Sequence, residues 1–321
     1  MSTIQVRIAR KWAEAEGIAG LELVAADGGA LPPFSAGAHI DVHLPGGLTR
    51  PYSLCGDPAD TTRWQLGVLR EPASRGGSAA VHDALAEGQV LTVGLPRNLF
   101  ALQPGATRSL LLAGGIGITP LLAMAEQLAG EGADFAFHVA ARSRARLAFA
   151  GRLAQAPWAD RVQLHLDDGP EAQRLDLNAL LATPQPGAQV YLCGPQGFID
   201  AALAAARAAG WADAQLQVER FGAASAPAAA DGIGGFTLRL ARSGRVVPVA
   251  ADQTAVQALA AAGVTVMTSC EQGVCGTCLT RVLGGVPDHR DQYLTDEERA
   301  AHDQFLPCCS RACTPELVLD L

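Results

Sequence analysis

The sequence predicts a multidomain fold in which an antiparallel β-barrel, an α/β domain with a parallel sheet and a small α+β domain follow one another. Short alternating segments fill the first third of the 321 residues, and strands and helices alternate five times in the middle. A hairpin, a helix and a cysteine-rich loop make up the rest. The predicted boundaries are 1–106, 107–223, a linker at 224–234, and 235–321.

Composition narrows the classes of protein before any motif is considered. The net charge is −8, and an acidic surface argues against binding of nucleic acid, which needs a basic stripe. No apolar run has the length of a membrane span or a signal peptide, so we expect a soluble, cytoplasmic protein that uses no membrane. Eight cysteines in such a chain indicate a metal site rather than a disulfide framework.

The first domain is predicted from segments of strand length that are separated by turn residues. In HIDVHLP, at 39–45, apolar and polar residues alternate as they do in a half-buried strand. Several such segments at this spacing are typical of an antiparallel barrel.

The second domain has a different period. SLLLAGG, at 109–115, is an apolar run of strand length that ends in glycines, and a helical pattern follows at 119–132. Further helices are predicted over 146–155 and over 197–210, where Gly210 ends the second of them. The alternation of strand and helix predicts a parallel sheet covered on both faces.

The third domain opens, after the linker of small residues, with two alternating strands around Ser243-Gly244, which predicts a hairpin. A helix is expected next, with Thr254 near its start and Gly263 at its end. The cysteine loop begins directly after this helix.

The cysteine loop, SCEQGVCGTCLT at 269–280, carries the spacing C-x4-C-x2-C at Cys270, Cys275 and Cys278, and Cys308 comes after a gap of 29 residues. This is the spacing of plant-type [2Fe–2S] ferredoxins. Three thiolates can come from one tight loop if its backbone curls around the cluster, and the two glycines in the loop supply that freedom.

Two points about the metal site stay open at the level of residues. A zinc site would also use thiolates, although structural zinc loops favour C-x2-C pairs on both sides, which the far cysteines do not provide. Cys308 and Cys309 are adjacent, and in extended chain only one of them can face the cluster. We take Cys308 as the fourth ligand and Cys309 as a small core residue.

The cysteine loop, DHRDQYLTDEE at 288–298 and the ending CCSRACTPELVLDL resemble the C-terminal domain of the phthalate dioxygenase reductase family. The resemblance covers the whole chain in that family's order of flavin barrel, nicotinamide domain and ferredoxin domain. It implies a β-grasp fold for the third domain. It also implies an NADH-dependent oxidoreductase that contains FMN and a [2Fe–2S] cluster.

Two motifs of the first domain suit a flavin phosphate and ring. RPYSL places Arg50 and Tyr52 on one face of a strand, and RGGSAAVHDAL opens a helix with glycines, where free N–H groups can receive a phosphate. Arg70 supplies the cation that relatives carry as a Lys near Leu69, and no adenine-holding segment is found, which favours FMN over FAD. The FMN contacts implied by the resemblance are Arg50, Tyr52, Ser53, Gly67, Val68, Leu69, Gly76, Gly77, Ser78, Thr119 and Phe221.

The second domain carries the motif AGGIGITP, at 113–120, in the strand–turn–helix context where a pyrophosphate lies at a helix N-terminus. The dinucleotide fingerprint G-x-G-x-x-G is not met. Arg142 follows the second strand, where a 2′-phosphate could be accepted, but the resemblance implies NADH; Cys193, taken alone, is better explained as a buried small residue. The NAD contacts implied by the resemblance are Gly114, Gly115, Gly117, Arg142, Cys193, Gly194 and Pro195.

The predicted function follows from the electron count. Nicotinamide gives electrons in pairs and a [2Fe–2S] cluster accepts them singly, so a flavin is needed between them, and no catalytic acid or base is predicted. The resemblance implies that the acceptor is a Rieske-type terminal oxygenase of aromatic catabolism. We expect a monomeric reductase that binds it transiently, with the hypothesis that DHRDQY, at 288–293, shapes the docking face. The alternatives are an FAD-dependent ferredoxin-type reductase for another acceptor and a non-catalytic zinc-binding protein.

Overall fold

The computed structural model describes residues 2–72, 76–221 and 234–321. The chain forms two compact units, Met1–Phe221 and Gly222–Leu321. The first holds both the barrel and the parallel sheet, so the predicted boundary between 106 and 107 falls within one unit and stays a prediction. The predicted linker lies outside the described residues except for Gly234.

The first part of Met1–Phe221 is the predicted antiparallel barrel. Its strands are β1 Thr3–Ala15, β2 Ile18–Ala25, β3 Ala38–Leu44, β4 Leu48–Ser53, β5 Trp64–Leu69, β6 Val90–Gly94 and β7 Arg97–Asn98, with helix α1 at Gly77–Asp83. The sheet order is β4-β3-β6-β1-β2-β5, β7 pairs with β3, and a bridge between Leu54 and Leu66 connects the two ends of that order. Ile40 and Val42 face the buried core, as the alternation in HIDVHLP predicts, but His39 and Asp41 are buried too, so the strand is not half-buried as expected.

The second part of this unit is a five-stranded parallel sheet with the order β10-β9-β8-β11-β12. Its elements are β8 Arg108–Gly114, α2 Ile118–Gly130, β9 Phe135–Ala141, α3 Ala150–Gln155, β10 Val162–Leu166, α4 Leu177–Leu181, β11 Ala188–Cys193, α5 Gln196–Ala209 and β12 Leu216–Glu219. Alternate residues of β8 enter two different cores, Leu111 on the side of α2 and Leu112 on the side of α5. The predicted parallel sheet with helices on both faces is therefore confirmed.

The helix predicted over 146–155 is shorter than expected, because it begins at Ala150. The residue before it, Phe149, has a left-handed backbone with φ of 59°. That conformation costs a residue with a side chain about 1–2 kcal/mol. The Phe149 amide donates to the Glu14 carboxylate at 2.7 Å, so a contact from a distant strand replaces the predicted helical turn.

The unit Gly222–Leu321 is an α+β domain built on a mixed sheet with the order β14-β13-β19-β15-β17, beside a two-stranded ladder of β16 and β18. Its elements are β13 Phe236–Leu240, β14 Val246–Val249, α6 Ala255–Ala261, β15 Thr280–Gly284, β16 Pro287–Asp288, α7 Asp296–Ala301, β17 Gln304–Phe305, β18 Arg311–Ala312 and β19 Glu316–Leu319. The predicted hairpin is present as β13 and β14. Thr254 caps α6 by accepting from the Gln257 amide at 3.2 Å, as its position in the sequence predicts.

Of the helices in the described part of the chain, none combines the length and the apolar character needed to cross a membrane.

Candidate functional site

The start of α1 lies against the side chain of Arg50 on β4. A Cβ on Gly77 would come within 2.6 Å of Arg50 Cγ, and one on Gly76, where φ is 91°, within 2.8 Å of the Leu48 side chain. Only glycine allows the chain to pass this close and to turn with a positive φ. The Ser78 hydroxyl accepts from the Glu71 amide at 3.1 Å, which ties the turn together. The structure thus joins the cation of RPYSL to the glycine turn.

Tyr52 lies on the same face of β4 as Arg50 and is half-buried. Burial raises the pKa of its hydroxyl to about 12, against the opposing effect of the Arg50 charge. The side chain therefore stays a neutral phenol at physiological pH. Arg50 and Tyr52 together offer a cation and an aromatic wall, which are the groups that a flavin phosphate and ring require.

Strand β5 contributes Gly67 and Leu69 on one face and Val68 on the other. A Cβ on Gly67 would lie 2.8 Å from the Phe149 ring and 3.0 Å from the Thr119 methyl group, so β5 and the start of α2 approach closely. The Val68 side chain is buried in the barrel core, and its carbonyl oxygen lies 2.9 Å from His82 Nε2. Any ligand contact at Val68 would therefore involve its backbone. Arg70 forms an exposed ion pair with Asp83 at 2.5 Å.

The glycines of the predicted nicotinamide site bring two strand–helix turns together. A Cβ on Gly117 would lie 2.2 Å from the carbonyl oxygen of Cys193, and one on Gly194 would lie 2.9 Å from the Gly114 Cα. Neither gap can widen without moving backbone. Gly115 has a positive φ of 54°, and Pro195 directly precedes α5. The carboxyl ends of β8 and β11 therefore meet here, at the edge of a parallel sheet where nucleotides bind.

Arg142 and Phe221 lie just beyond the carboxyl ends of β9 and β12, which belong to the same sheet and are separated by β8 and β11. Arg142 follows β9 and is exposed, and its carbonyl accepts from the Asp168 amide at 3.2 Å. Phe221 follows β12 and is 42% exposed, which is unusual for a large aromatic side chain. Both side chains are open to a ligand at this edge.

Glu219 was not selected from any sequence pattern, and it connects the barrel to the parallel sheet. The Ser53 hydroxyl on β4 donates to Glu219 Oε2 at 3.4 Å, and Glu219 lies beside Cys193 in the register of β12 and β11. Burial raises the pKa of the Glu219 carboxyl to about 8, despite the hydrogen bond from Ser53. Burial, followed by the nearby Glu219, also raises the pKa of the Cys193 thiol. We call Ser53, Cys193 and Glu219 the junction cluster.

The four predicted cluster ligands come together as two pairs. The Cys270 thiol is in hydrogen-bonding contact with Cys275 and lowers its pKa, while Cys278 is in contact with Cys308. In the described part of the chain, no three His, Cys, Asp or Glu side chains meet at the spacing of a single-ion site. A two-iron core takes two thiolates on each iron, so two pairs of thiols suit it.

The backbone of the cysteine loop is shaped for a buried inorganic group. Gly273 and Gly276 have φ values of 74° and 68°, and the Gln272 amide donates to the Cys270 sulfur at 3.3 Å. A further amide, that of Gly273, is directed at Cys308. Amides that donate to the sulfurs are a feature of iron–sulfur sites, so this loop passes the test of fit to a [2Fe–2S] cluster.

The adjacent Cys309 contacts Cys308 through its thiol, but its other contacts differ from those of Cys308. Its thiol lies 3.7 Å from the Leu306 carbonyl and 3.8 Å from the Ser310 hydroxyl, and its contact with the loop is at Gly273. Cys278 pairs with Cys308 and not with Cys309. This arrangement favours Cys308 as the fourth ligand.

Comparison with known proteins gives a consistent result along the whole chain. Residues 238–313 match the family of 2Fe-2S iron-sulfur cluster binding domains, and residues 93–216 match the N-terminal domain of dimethylamine monooxygenase subunit DmmA-like proteins. The chain is 52% identical to vanillate O-demethylase oxidoreductase from Pseudomonas sp. (strain HR199 / DSM 7063) over 318 residues, which are 99% of this chain and 100% of the relative.

Two solved structures have the same fold over essentially the full chain. One is phthalate dioxygenase reductase, described as a modular structure for electron transfer from pyridine nucleotides to [2Fe-2S]; the TM-score is 0.80 at 38% identity, covering 100% of this chain and 98% of that one. The other is an intact type IV self-sufficient cytochrome P450 monooxygenase, with a TM-score of 0.83 at 44% identity. It covers 99% of this chain and 41% of that larger protein.

Proposed function

The chain belongs to the phthalate dioxygenase reductase family, and from that premise we propose that it is the reductase component of a Rieske-type aromatic-ring oxygenase or demethylase system. The observation that carries the proposal is that one chain holds both the paired thiols of the cysteine loop and the junction cluster. The thiols would hold the iron–sulfur cluster, which accepts single electrons, and the junction cluster lies where a nicotinamide and a flavin would meet. The protein is an oxidoreductase that links them.

FMN, NADH and a [2Fe–2S] cluster are the cofactors of this protein, and when bound they convert paired electrons from nicotinamide into single electrons. Arg50 and the amides of the glycine turn at Gly76, Gly77 and Ser78 would hold the flavin phosphate. Tyr52 and Phe221 would flank the ring, with Ser53, Gly67, the Val68 backbone, Leu69 and Thr119 along its edge.

The nucleotide would lie across the carboxyl ends of β8, β9 and β11. Gly114, Gly115 and Gly117 allow a pyrophosphate to approach the start of α2, and Arg142 would contact the adenosine ribose. Cys193, Gly194 and Pro195 would border the nicotinamide. We propose NADH as the donor, in keeping with the family.

The junction cluster controls a proton in this site. With a pKa near 8, the Glu219 carboxyl keeps its proton at neutral pH and can donate it in a hydrogen bond, while the Ser53 hydroxyl connects it to the flavin side. An uncharged carboxyl also adds no buried negative charge beside the Cys193 thiol, whose own pKa is raised by burial. The side chains thus orient the reacting ring without a charged acid or base.

The proposed cluster ligands, two to each iron, are Cys270, Cys275, Cys278 and Cys308. The acceptor is proposed to be a Rieske-type terminal oxygenase, bound transiently by a monomeric reductase in the cytoplasm. The names of relatives support an oxygenase acceptor, since they include vanillate O-demethylase oxidoreductase and phenoxybenzoate dioxygenase subunit beta.

A second candidate function is favoured by one observation. The match to a self-sufficient cytochrome P450 monooxygenase has a TM-score of 0.83 over 99% of this chain, so the same three-part module can occur in a haem enzyme. A reductase for a separate haem monooxygenase is therefore the alternative to a Rieske partner.

The first test is the visible spectrum of anaerobically purified protein before and after NADH. We expect flavin bands and broad iron–sulfur absorbance, both bleached by NADH, with FMN as the extracted flavin. Reoxidation of the reduced protein by a purified Rieske oxygenase, compared with a P450 haem domain, then separates the two acceptors. A colourless protein that contains zinc would overturn the proposal, and extracted FAD would favour a ferredoxin-type reductase.

A further inference from the structure

Phe149 is a buried aromatic residue in an unusual backbone conformation. It is 4% exposed and has a φ of 59°, a region that residues with a side chain rarely adopt. Strained residues of this kind persist only where surrounding contacts hold them, and they are frequent at functional sites. The contacts that hold Phe149 can be named.

The Glu14 carboxylate fixes the Phe149 backbone from the barrel side. Glu14 Oε1 accepts from the Phe149 amide at 2.7 Å, and Glu14 Oε2 accepts from the indole nitrogen of Trp12 at 2.6 Å. The Trp12 ring is in turn packed on Gly20, where a Cβ would come within 2.2 Å of it. Both oxygens of the Glu14 carboxylate therefore accept hydrogen bonds. One bond comes from Trp12 in the barrel, and the other comes from Phe149 in the part of the unit that holds the parallel sheet.

The Phe149 ring points to the place where β5, which borders the proposed flavin site, approaches the start of α2, which borders the proposed nicotinamide site. A Cβ on Gly67 would lie 2.8 Å from Phe149 Cζ and 3.0 Å from Thr119 Cγ2. The ring edge and the Thr119 methyl group therefore both lie close to Gly67 on β5. Thr119 is itself fixed, because its hydroxyl donates to the Ile116 carbonyl at 3.1 Å.

Other contacts join the barrel to the parallel-sheet part without reaching Gly67 or Thr119. Arg146 pairs with Glu16 at 2.9 Å on the surface, with both side chains about half exposed. Arg152 pairs with Glu126 at 2.8 Å and donates to the carbonyl of Cys55 at 2.5 Å. These contacts hold the barrel and the parallel-sheet part together, whereas the Phe149 ring is the one group in this set that lies against Gly67, where the Thr119 methyl group also lies.

We propose that Phe149 is a positioning residue for electron transfer from nicotinamide to flavin. Held by Glu14, its ring sets the distance between the Gly67 strand and the Thr119 turn. Because those two segments border the proposed flavin and nicotinamide sites, the ring also sets how closely the two cofactors stack. The inference rests on the proposed function and adds a residue to it that touches neither cofactor.

The test separates the ring from the backbone by comparing Phe149→Ala with Phe149→Gly. Both remove the ring, but glycine also relieves the left-handed backbone, so Phe149→Gly should unfold about 2–4 °C higher than Phe149→Ala. Flavin reduction by NADH in a stopped-flow instrument should slow about 10- to 100-fold in both, because small misplacements of reacting groups cost that much. The long-wavelength charge-transfer band between nicotinamide and flavin should weaken in both, with flavin and iron content unchanged.

Two further variants keep the test decisive if the truncations fold poorly. Phe149→Leu retains part of the bulk and should recover much of the charge-transfer band. Arg146→Ala is the matched control in the same joint and should leave the band and the rate within twofold of the native protein. The proposal would be overturned if folded Phe149→Gly kept the native rate of flavin reduction and the native charge-transfer band. It would also be overturned if the losses among the variants followed their unfolding temperatures rather than the presence of the ring. Native protein without NADH-dependent bleaching would instead refute the proposed function itself.

Discussion

The junction cluster and the cysteine loop solve different structural problems. The junction cluster gathers side chains from separate strands, and its central contact joins residues 166 positions apart in the chain. The cysteine loop takes three of its four thiols from nine consecutive residues and depends on backbone φ values that favour glycine. The junction cluster is defined by tertiary packing, whereas the cysteine loop is defined by local sequence and backbone conformation.

This difference predicts how each region responds to change. In the cysteine loop, ligands and glycines cannot be replaced gradually, since a lost thiolate or a blocked turn removes the whole inorganic group. In the junction cluster, a substitution changes a distance or a protonation state and leaves the fold in place. We therefore expect all-or-none effects in the loop and graded effects at the junction.

The largest effect is expected for Cys308→Ser, measured against its neighbour Cys309→Ser. Cys308 contacts Cys278, whereas the Cys309 thiol lies near the Leu306 carbonyl. Cys308→Ser should lose the cluster, seen as iron and sulfide content and as electron paramagnetic resonance of the reduced protein, while NADH–ferricyanide reduction through the flavin continues. Cys309→Ser should keep its iron. The reverse pattern would move the fourth ligand to Cys309.

A smaller but still large effect is expected for Gly117→Ala, at the turn that packs against the backbone of Cys193 and outside the junction cluster itself. Its new methyl group would lie 2.2 Å from the Cys193 carbonyl oxygen, and overpacking against backbone costs about 1–3 kcal/mol. The unfolding temperature should fall and the KM for NADH should rise. Gly130→Ala is the control, because nothing lies within 4 Å of a Cβ there, and alanine favours the helix. Equal behaviour of the two variants would contradict the close approach of the turns.

The two regions also differ in how well the sequence predicted them. The barrel, the parallel sheet, the hairpin and the Thr254 cap followed from periodicity and capping, which are local properties. The cysteine loop followed from spacing alone. Glu219 and the role of Phe149 could not be found this way, because their partners Ser53 and Glu14 lie 166 and 135 residues away. For the same reason the helix predicted from 146 begins at Ala150.

A graded effect is expected for Glu219→Gln, as a change in pH dependence. The folded protein keeps the Glu219 proton up to a pKa of about 8, whereas the unfolded chain releases it near 4.5. Between these values the folded state binds more protons, so this group lowers stability as pH rises. Glutamine removes that loss and should stabilise the protein by about 1–3 kcal/mol at pH 8 relative to Glu219.

The measurement is chemical denaturation of both proteins from pH 5 to pH 9. The difference between their free energies of unfolding should grow from pH 5 to 8 and then level off. Ser53→Ala is the comparison variant, since it removes the hydroxyl whose hydrogen bond lowers the pKa of Glu219 but keeps the titrating carboxyl, so the pH dependence of its stability should persist. A constant difference across the range would show that Glu219 does not titrate in this window.

The smallest effect is expected at the proposed docking face, which lies in the unit that contains the cysteine loop. Asp288 and Arg290 form an ion pair at 2.7 Å, and both are partly exposed. Asp288→Arg breaks the pair and reverses a charge, so reduction of the oxygenase should slow about 2- to 10-fold at low salt, because rim charges mainly affect association rates. NADH–ferricyanide reduction should not change. Arg242→Glu, in the exposed pair with Asp320, is the control on another part of the surface. Equal losses of rate with the oxygenase and with ferricyanide would place the defect inside the reductase. A slower reduction of the oxygenase that returns to the native rate at high salt would assign the Asp288–Arg290 pair to recognition of the partner.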